Sequence, residues 1–303
     1  MSSDSANQTI GMKNTARLQI AGIALVIFST LCIAIVPAFA RLAYDGGSNT
    51  FSIITGRGIV SVLMAFPLLL VLRQPIRIAR RPLAICAANG VVYAIMLYCY
   101  IGAVQHLAVN LVILIYFIHP LLVGFIVAGL GYQRLTAWAY LALTGALVGL
   151  GLAIGFSGDD LNLSGMGLAV TAMITAAITI IANGRAMQHT SGLTVAFYML
   201  ASAAATLLIL FPFFGTVALP QTAIGWLGFL GVAIGATTGT IAFYCGMAWI
   251  GAVRAAMISN LEPVLGVVFA MTIVGESLTL LQAAGIALVL SSIISMEVWG
   301  TPK

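Results

Sequence analysis

Ten apolar runs dominate the chain, at 18–40, 51–72, 83–104, 108–131, 136–156, 165–184, 193–214, 224–247, 253–274 and 279–298. Each is close to the roughly 20 residues that a helix needs to cross a bilayer. Hydrocarbon leaves no partner for an unpaired peptide group, so such runs must close their hydrogen bonds within themselves, as helices. Barrel strands would instead read as alternating segments of roughly ten residues. The gaps are short, about ten residues at most, which leaves no room for a soluble catalytic or regulatory domain. Composition agrees: 62% of the 303 residues are apolar and 6% charged, where a soluble domain carries about a quarter charged. A water-soluble globule, a disordered chain and a nucleic-acid binder with a dense basic patch are all excluded. The expected class is an all-α integral membrane protein with ten transmembrane helices.

Residues 1–17 form a short polar tail ending in Lys13 and Arg17, and 299–303 form a second tail. Ala38-Phe39-Ala40 imitates a signal-peptidase site. A signal core has only about 7–15 residues, so the longer run reads as a retained first helix. With the amino terminus inside, Lys13, Arg17, Arg73, Arg77, Arg80, Arg81, Arg134, Arg185, Arg254 and Lys303 all fall in cytoplasmic segments. Arg41 then falls outside, with Asp45, Asp159, Asp160 and Glu276, and Arg57 lies within a span. Cytoplasmic loops retain basic residues, so both termini are expected in the cytoplasm of a plasma membrane, the inner one in a Gram-negative cell. Cys32, Cys86, Cys99 and Cys245 sit in apolar helices without ligand spacing. They predict packing; no metal and no cofactor is called for.

The two halves share a pattern. Phe66-Pro67 and Phe211-Pro212 match at an offset of 145, Tyr100-x-Gly102 and Tyr244-x-Gly246 at 144, and Pro120 and Pro263 at 143. Leu135-Thr136 matches Leu278-Thr279. The matches keep their order, which suggests a first five-helix repeat over 18–156 and a second over 165–298. An odd number of spans per repeat turns the second copy over in the membrane. Inverted repeats are characteristic of secondary transporters, which bind their solute near the midplane between the copies.

Pro120 and Pro263 lie near the middle of the fourth and ninth spans. Each removes a donor and clashes with the carbonyl four residues earlier, so both are candidate hinges. Glu262 stands beside one of them. A carboxylate at that depth costs about 2.5–3.5 kcal/mol on insertion scales, so it must be neutral, paired or hydrated. It either binds a coupling proton or a cationic group of the solute, or closes the backbone gap made by Pro263. His119 occupies the equivalent slot before Pro120, as a titratable group or a packing residue. Arg57 lies about six residues into span two, roughly 9 Å below its end. It either snorkels to the interface or faces a cavity and pairs with a carboxylate or phosphate.

Asn89, Tyr93, Met96 and Tyr100 share one face of span three, and Thr237, Thr240 and Tyr244 one face of span eight. These two polar-aromatic stripes fit the walls of a central cavity, with Tyr116, Asn260 and Trp249 as additions, or else interhelical packing. Thr175, Thr179 and Asn183 form a similar face on span six. Gly231, Gly235 and Gly239, Gly145 with Gly149, and Gly151 with Gly155 recur at four-residue spacing, which lets helices approach closely.

Arg57, Tyr244-x-Gly246 with Ala252, Leu261-Glu262-Pro263 and Gly275-Glu276-x-Leu278-Thr279 with Gln282 and Gly285 resemble the EamA family of the drug/metabolite transporter superfamily. His119-Pro120 and Gly131-x-x-x-Leu135-Thr136 form a degraded copy in the first half. The resemblance implies a ten-helix carrier, since members mostly export amino acids and other small metabolites and some import vitamins or cofactors. Many members open span one with Trp-Gly or Trp-Ser and carry a later Lys, where this chain has Phe28-Ser29 and Arg41. The expected function is secondary transport of a small polar metabolite, an amino acid or a nucleoside- or vitamin-like solute. Export is the expected direction, the proton the candidate coupling ion, and an uptake carrier of the same fold the alternative. An intramembrane enzyme would need a nucleophile with a base, or paired carboxylates, at depth. Saturable flux with counterflow separates a carrier from a channel or scaffold.

Overall fold

A computed structural model describes residues 3–131, 136–154, 162–250, 255, 258–259 and 261–299. It is 85% helical, with no strand among the described residues. Helices run in the order α1 (Ser3–Ala34), α2 (Val36–Asp45), α3 (Thr50–Val71), α4 (Arg80–His106), α5 (Val109–Tyr116) and α6 (His119–Gly129). They continue as α7 (Ala137–Ile154), α8 (Leu163–Met187), α9 (Gly192–Phe214), α10 (Ala223–Ile250), α11 (Glu262–Phe269) and α12 (Leu280–Trp299). A π-helical turn, Ala270–Val274, extends α11. Seven helices of the described residues are long and apolar enough to cross a membrane: Leu18–Asp45, Thr50–Val71, Arg80–His106, Val109–Gly129, Leu163–Met187, Gly192–Phe213 and Ala223–Met247. Tyr140–Leu152, Glu262–Val274 and Leu280–Ser295 are shorter apolar helices.

Two features differ from the sequence expectation. The first helix begins at Ser3, so residues read as a polar tail are helical. The first apolar run also breaks at Ile35, and α2 restarts with Pro37 in its first turn. Proline lacks the N–H that would continue the ladder, and its fixed φ suits a helix start. The same chemistry breaks the fourth run before His119-Pro120 and starts α11 at Glu262-Pro263. Several other helix starts use local caps, although α4 and α5 begin behind alanines that cannot cap them. Asn49 accepts from the Ser52 N–H at 2.8 Å, and Asn162 from Ser164 and Gly165 at 2.9 and 3.2 Å. Each cap satisfies donors that a helix start leaves open.

The surface inverts the pattern of a soluble protein. Leu63, Ile209, Phe213 and Leu227 are exposed, while Arg57, Asn89, His119 and Thr237 are buried. Apolar side chains outside and polar ones inside suit a lipid surround. The principal packings join a helix before residue 155 to one after 162: α4 with α8 and α9, α10 with α1 to α3, α3 with α9, and α7 with α12. Glycine makes the closest of these possible. A Cβ on Gly149 would stand 2.7 Å from the Gly285 carbonyl oxygen, and one on Gly239 2.6 Å from Ile33. Ser29 crosses the second contact by donating to the Gly239 carbonyl at 2.7 Å. Gly151 meets nothing, so that glycine is not a contact point, and Gly155 lies outside the described residues.

The connections gather at two ends. At one, the exposed Arg73, Arg77, Arg80 and Arg81 follow α3, and Thr194 of α9 donates to the Pro75 carbonyl at 3.1 Å. This is called the basic end below. At the far end, Asn49 donates to the Thr216 carbonyl at 2.7 Å and Ser48 to that of Ala218 at 2.8 Å. The Gln221 N–H donates to Gly46 at 2.8 Å. Two clasps thus tie the halves, one at each end.

Candidate functional site

The site forms where the broken helices meet. α5 packs against α11, and a Cβ on Gly266 would lie 2.8 Å from Ile113. Pro120 has no N–H to offer the Tyr116 carbonyl four residues back. His119 fills that place: its Nδ1 lies 2.8 Å from the Tyr116 oxygen. A carbonyl only accepts, so Nδ1 carries the hydrogen, and Nε2 has no protein partner among the described residues. Glu262 occupies the corresponding slot, but a carboxylate cannot donate to the carbonyl that Pro263 frees. Among the described residues no donor reaches it. Only its protonated form could donate there, and among the described residues no hydrogen bond joins Glu262 to that carbonyl.

Tyr116 joins the two slots. Its ring lies 4.4 Å from that of Tyr100 and 4.8 Å from His119, centroid to centroid, and its hydroxyl donates to the Met96 sulfur at 3.7 Å. Tyr100 is 9% exposed and belongs to the α4 face predicted from the sequence. Arg57 approaches from α3 and is 8% exposed, so it does not snorkel. Its guanidinium donates to the Tyr93 hydroxyl at 2.9 Å, with no carboxylate within ion-pair distance among the described residues. Both Arg57 and Glu262 lie within electrostatic reach of Tyr100 and Tyr116. A buried guanidinium, an aromatic middle and a half-buried carboxylate therefore lie within electrostatic reach of one another, with no ion pair to either charged side chain among the described residues. Such a patch can receive an anionic group at one end, a cationic group at the other and a flat or apolar body between them.

The remaining predicted residues divide. Asn89 donates to the Asn183 side chain at 2.8 Å and to the Thr179 carbonyl at 3.3 Å, so the stripes on α4 and α8 face each other. Thr237 pairs with Ser61 at 2.8 Å and with the Ala233 carbonyl at 2.7 Å, and Thr240 bonds back to Ala236 at 2.8 Å. Asn89 and Thr237 serve interhelical packing, because helical spacing selects a common face without saying what lies opposite. Trp249 is exposed, and Asn260 lies outside the described residues. Tyr244 lines a cavity of about 190 Å³ at the basic end, with Leu72, Gln74, Ser191 and Cys245. A second cavity, of about 220 Å³, opens at the far end among Asn49, Phe51, Tyr98, Gln105 and Thr216. Arg57, Tyr93, Tyr100, Tyr116 and Glu262 line neither of these two cavities. Among the described residues no three His, Cys, Asp or Glu side chains gather as metal ligands would.

One contact went unforeseen. The Glu276 carboxylate accepts from the N–H groups of Val109 and Asn110 at 2.5 and 3.1 Å, although 167 residues separate it from the first. Its only sequence signal is the lack of a capping side chain at Ala108.

Residues 163–297 match the EamA-like transporter family. That stretch contains Tyr244-x-Gly246, Leu261-Glu262-Pro263 and Gly275-Glu276-x-Leu278-Thr279, whereas Arg57, His119-Pro120 and Gly131-x-x-x-Leu135-Thr136 lie outside it. Among curated proteins none matches. One solved crystal structure, titled only as that of a protein, is 18% identical and superposes with a TM-score of 0.62 over 92% of this chain and 97% of its own. At that identity the likeness speaks for the fold alone. With the EamA match, the apolar helices identify a multi-pass membrane protein, a transporter in general terms.

Proposed function

We propose that the chain is a ten-helix secondary carrier of two inverted five-helix repeats, which exports a small polar metabolite by alternating access. The observation that carries this reading is that Arg57, bonded to Tyr93, and Glu262 both lie within electrostatic reach of Tyr100 and Tyr116 where the broken helices meet, with no ion pair to either among the described residues. A solute bearing both a carboxylate and an ammonium group, as an amino acid does, fits its two poles. Nucleoside- and vitamin-like solutes would use mainly the rings. The proton is the candidate coupling ion, with Glu262 its carrier.

The symmetry of the packing supports the inverted repeat. Exchanging spans one to five with spans six to ten turns the α4–α8 contact into α10–α1, α4–α9 into α10–α3, and α6–α8 into α11–α1. It returns α7–α12 and α3–α9 to themselves. The end cavities exchange too: Asn49, Tyr98 and Thr216 go over to the neighbourhoods of Thr194, Tyr244 and Leu72. Equivalent arrangements open to either side are what alternating access requires.

The test is a thermal-shift screen of amino acids, nucleosides and vitamins on purified protein, followed by flux into vesicles under an imposed pH gradient. One class should raise Tm and show saturable flux with counterflow. Arg57→Lys should weaken binding of an acidic solute, because ammonium lacks the bidentate fork. Stabilisation by none of the three classes, together with no flux, would overturn the proposal.

A further inference from the structure

We infer that Glu276 is a one-sided latch: by holding the start of α5 across the seam between the halves, it keeps the far end closed and makes the two ends of the molecule unequal. The inference rests on the carrier reading above.

α5 begins at Val109 behind Ala108, whose side chain cannot cap it. A helix start leaves several N–H groups without intrahelical partners and bears partial positive charge. Glu276 supplies both carboxylate oxygens from the other half, at 2.5 Å to Val109 and 3.1 Å to Asn110. Bonds of this kind, to an ionised acceptor, are roughly twice as strong as neutral ones. Its own segment fixes the carboxylate as well. Gly275 takes a left-handed φ of 79°, and the Glu276 N–H bonds back to the Ala270 carbonyl at 3.2 Å. The latch therefore connects the end of the α11 segment, which starts at Glu262, to the start of α5, which ends at Tyr116. Both broken elements of the patch are held at one end by a single side chain.

The first half has a glycine of the same φ at the matching position, and no acid follows it in the sequence. Gly131 takes a φ of 77°, matching Gly275 at an offset of 144. The residues that follow it are Tyr132, Gln133, Arg134, Leu135 and Thr136, with no Asp or Glu. The two matched sequence segments thus differ by one carboxylate. The far end must break two charge-assisted bonds to open, and the first repeat has no carboxylate to place at the basic end. Glu276 is a positioning residue and does not touch the solute.

The experiment reads the two ends separately. Thr50, which is buried, lines the far cavity and Cys245 the basic one. One reporter carries Thr50→Cys with the four native cysteines replaced; the other keeps Cys245 alone. Labelling rates with a maleimide on purified protein are compared with and without Glu276→Ala. The latch predicts a several-fold rise at position 50 and a fall at Cys245, with Glu276→Gln, which keeps one acceptor oxygen, shifting both in the same directions by less. Unchanged rates overturn the latch, and so does a rise at both positions, which would mark general loosening. If Glu276→Ala does not fold, the same decision is made on Glu276→Gln. Labelling needs no solute, so its failure removes the latch and leaves the carrier reading to the flux assay.

Discussion

Glu262 and His119 occupy matched slots before matched prolines, yet the structure uses them differently. Imidazole can donate to the carbonyl its proline abandons, and His119 does so. Carboxylate cannot, and no donor among the described residues reaches Glu262. A group so placed is available to a proton or a cation. Glu262→Gln should therefore preserve the Tm within a few degrees while flattening the pH profile of vesicle flux, because the amide cannot gain or lose the proton. Full flux with the original profile would remove Glu262 from the mechanism. The depth of Arg57 was legible in the sequence; its direction was not. A position six residues into a span fixes how far in a side chain starts, whereas its bond to Tyr93 depends on how α3 is rotated against α4. Glu276 was less legible still, since its partners stand in the other half of the chain.

At the scale of elements, runs of apolar residues and prolines carried most of the information. The breaks at Pro120 and Pro263 were readable because proline acts on its own backbone, wherever the helix packs. The break at Pro37 follows the same chemistry, but the sequence reading runs the first span straight through it to residue 40. Stripes were read less well: Asn89 and Thr237 share faces with Tyr93 and Tyr244, yet they bond to Asn183 and Ser61 on neighbouring helices. Glycine spacing predicted close approach, and the α7–α12 contact depends on it most directly. Gly149→Val would drive a branched side chain against the Gly285 carbonyl, 2.7 Å from the first added carbon. Overpacking of this kind costs about 1–3 kcal/mol. The expected outcome is a lowered Tm in detergent, partly restored when the crowded α12 side chain is trimmed by Val289→Ala.

For the whole molecule, the charge distribution makes a claim about orientation that can be checked on living cells. Arg73, Arg77, Arg80 and Arg81 cluster at the basic end, which the charge bias assigns to the cytoplasm. A membrane-impermeant thiol reagent on intact cells should label Val217→Cys, at the far end, and reach Arg80→Cys only after lysis. The reverse pattern would turn the molecule over and with it the side that Glu276 guards. The architecture also bears on how the protein is made. Because the main packings join early helices to late ones, the helices before residue 155 leave the ribosome before their partners exist. They must wait in the lipid as loose neighbours, and a message cut short near its middle yields a product with nothing to settle against, fit for the membrane proteases.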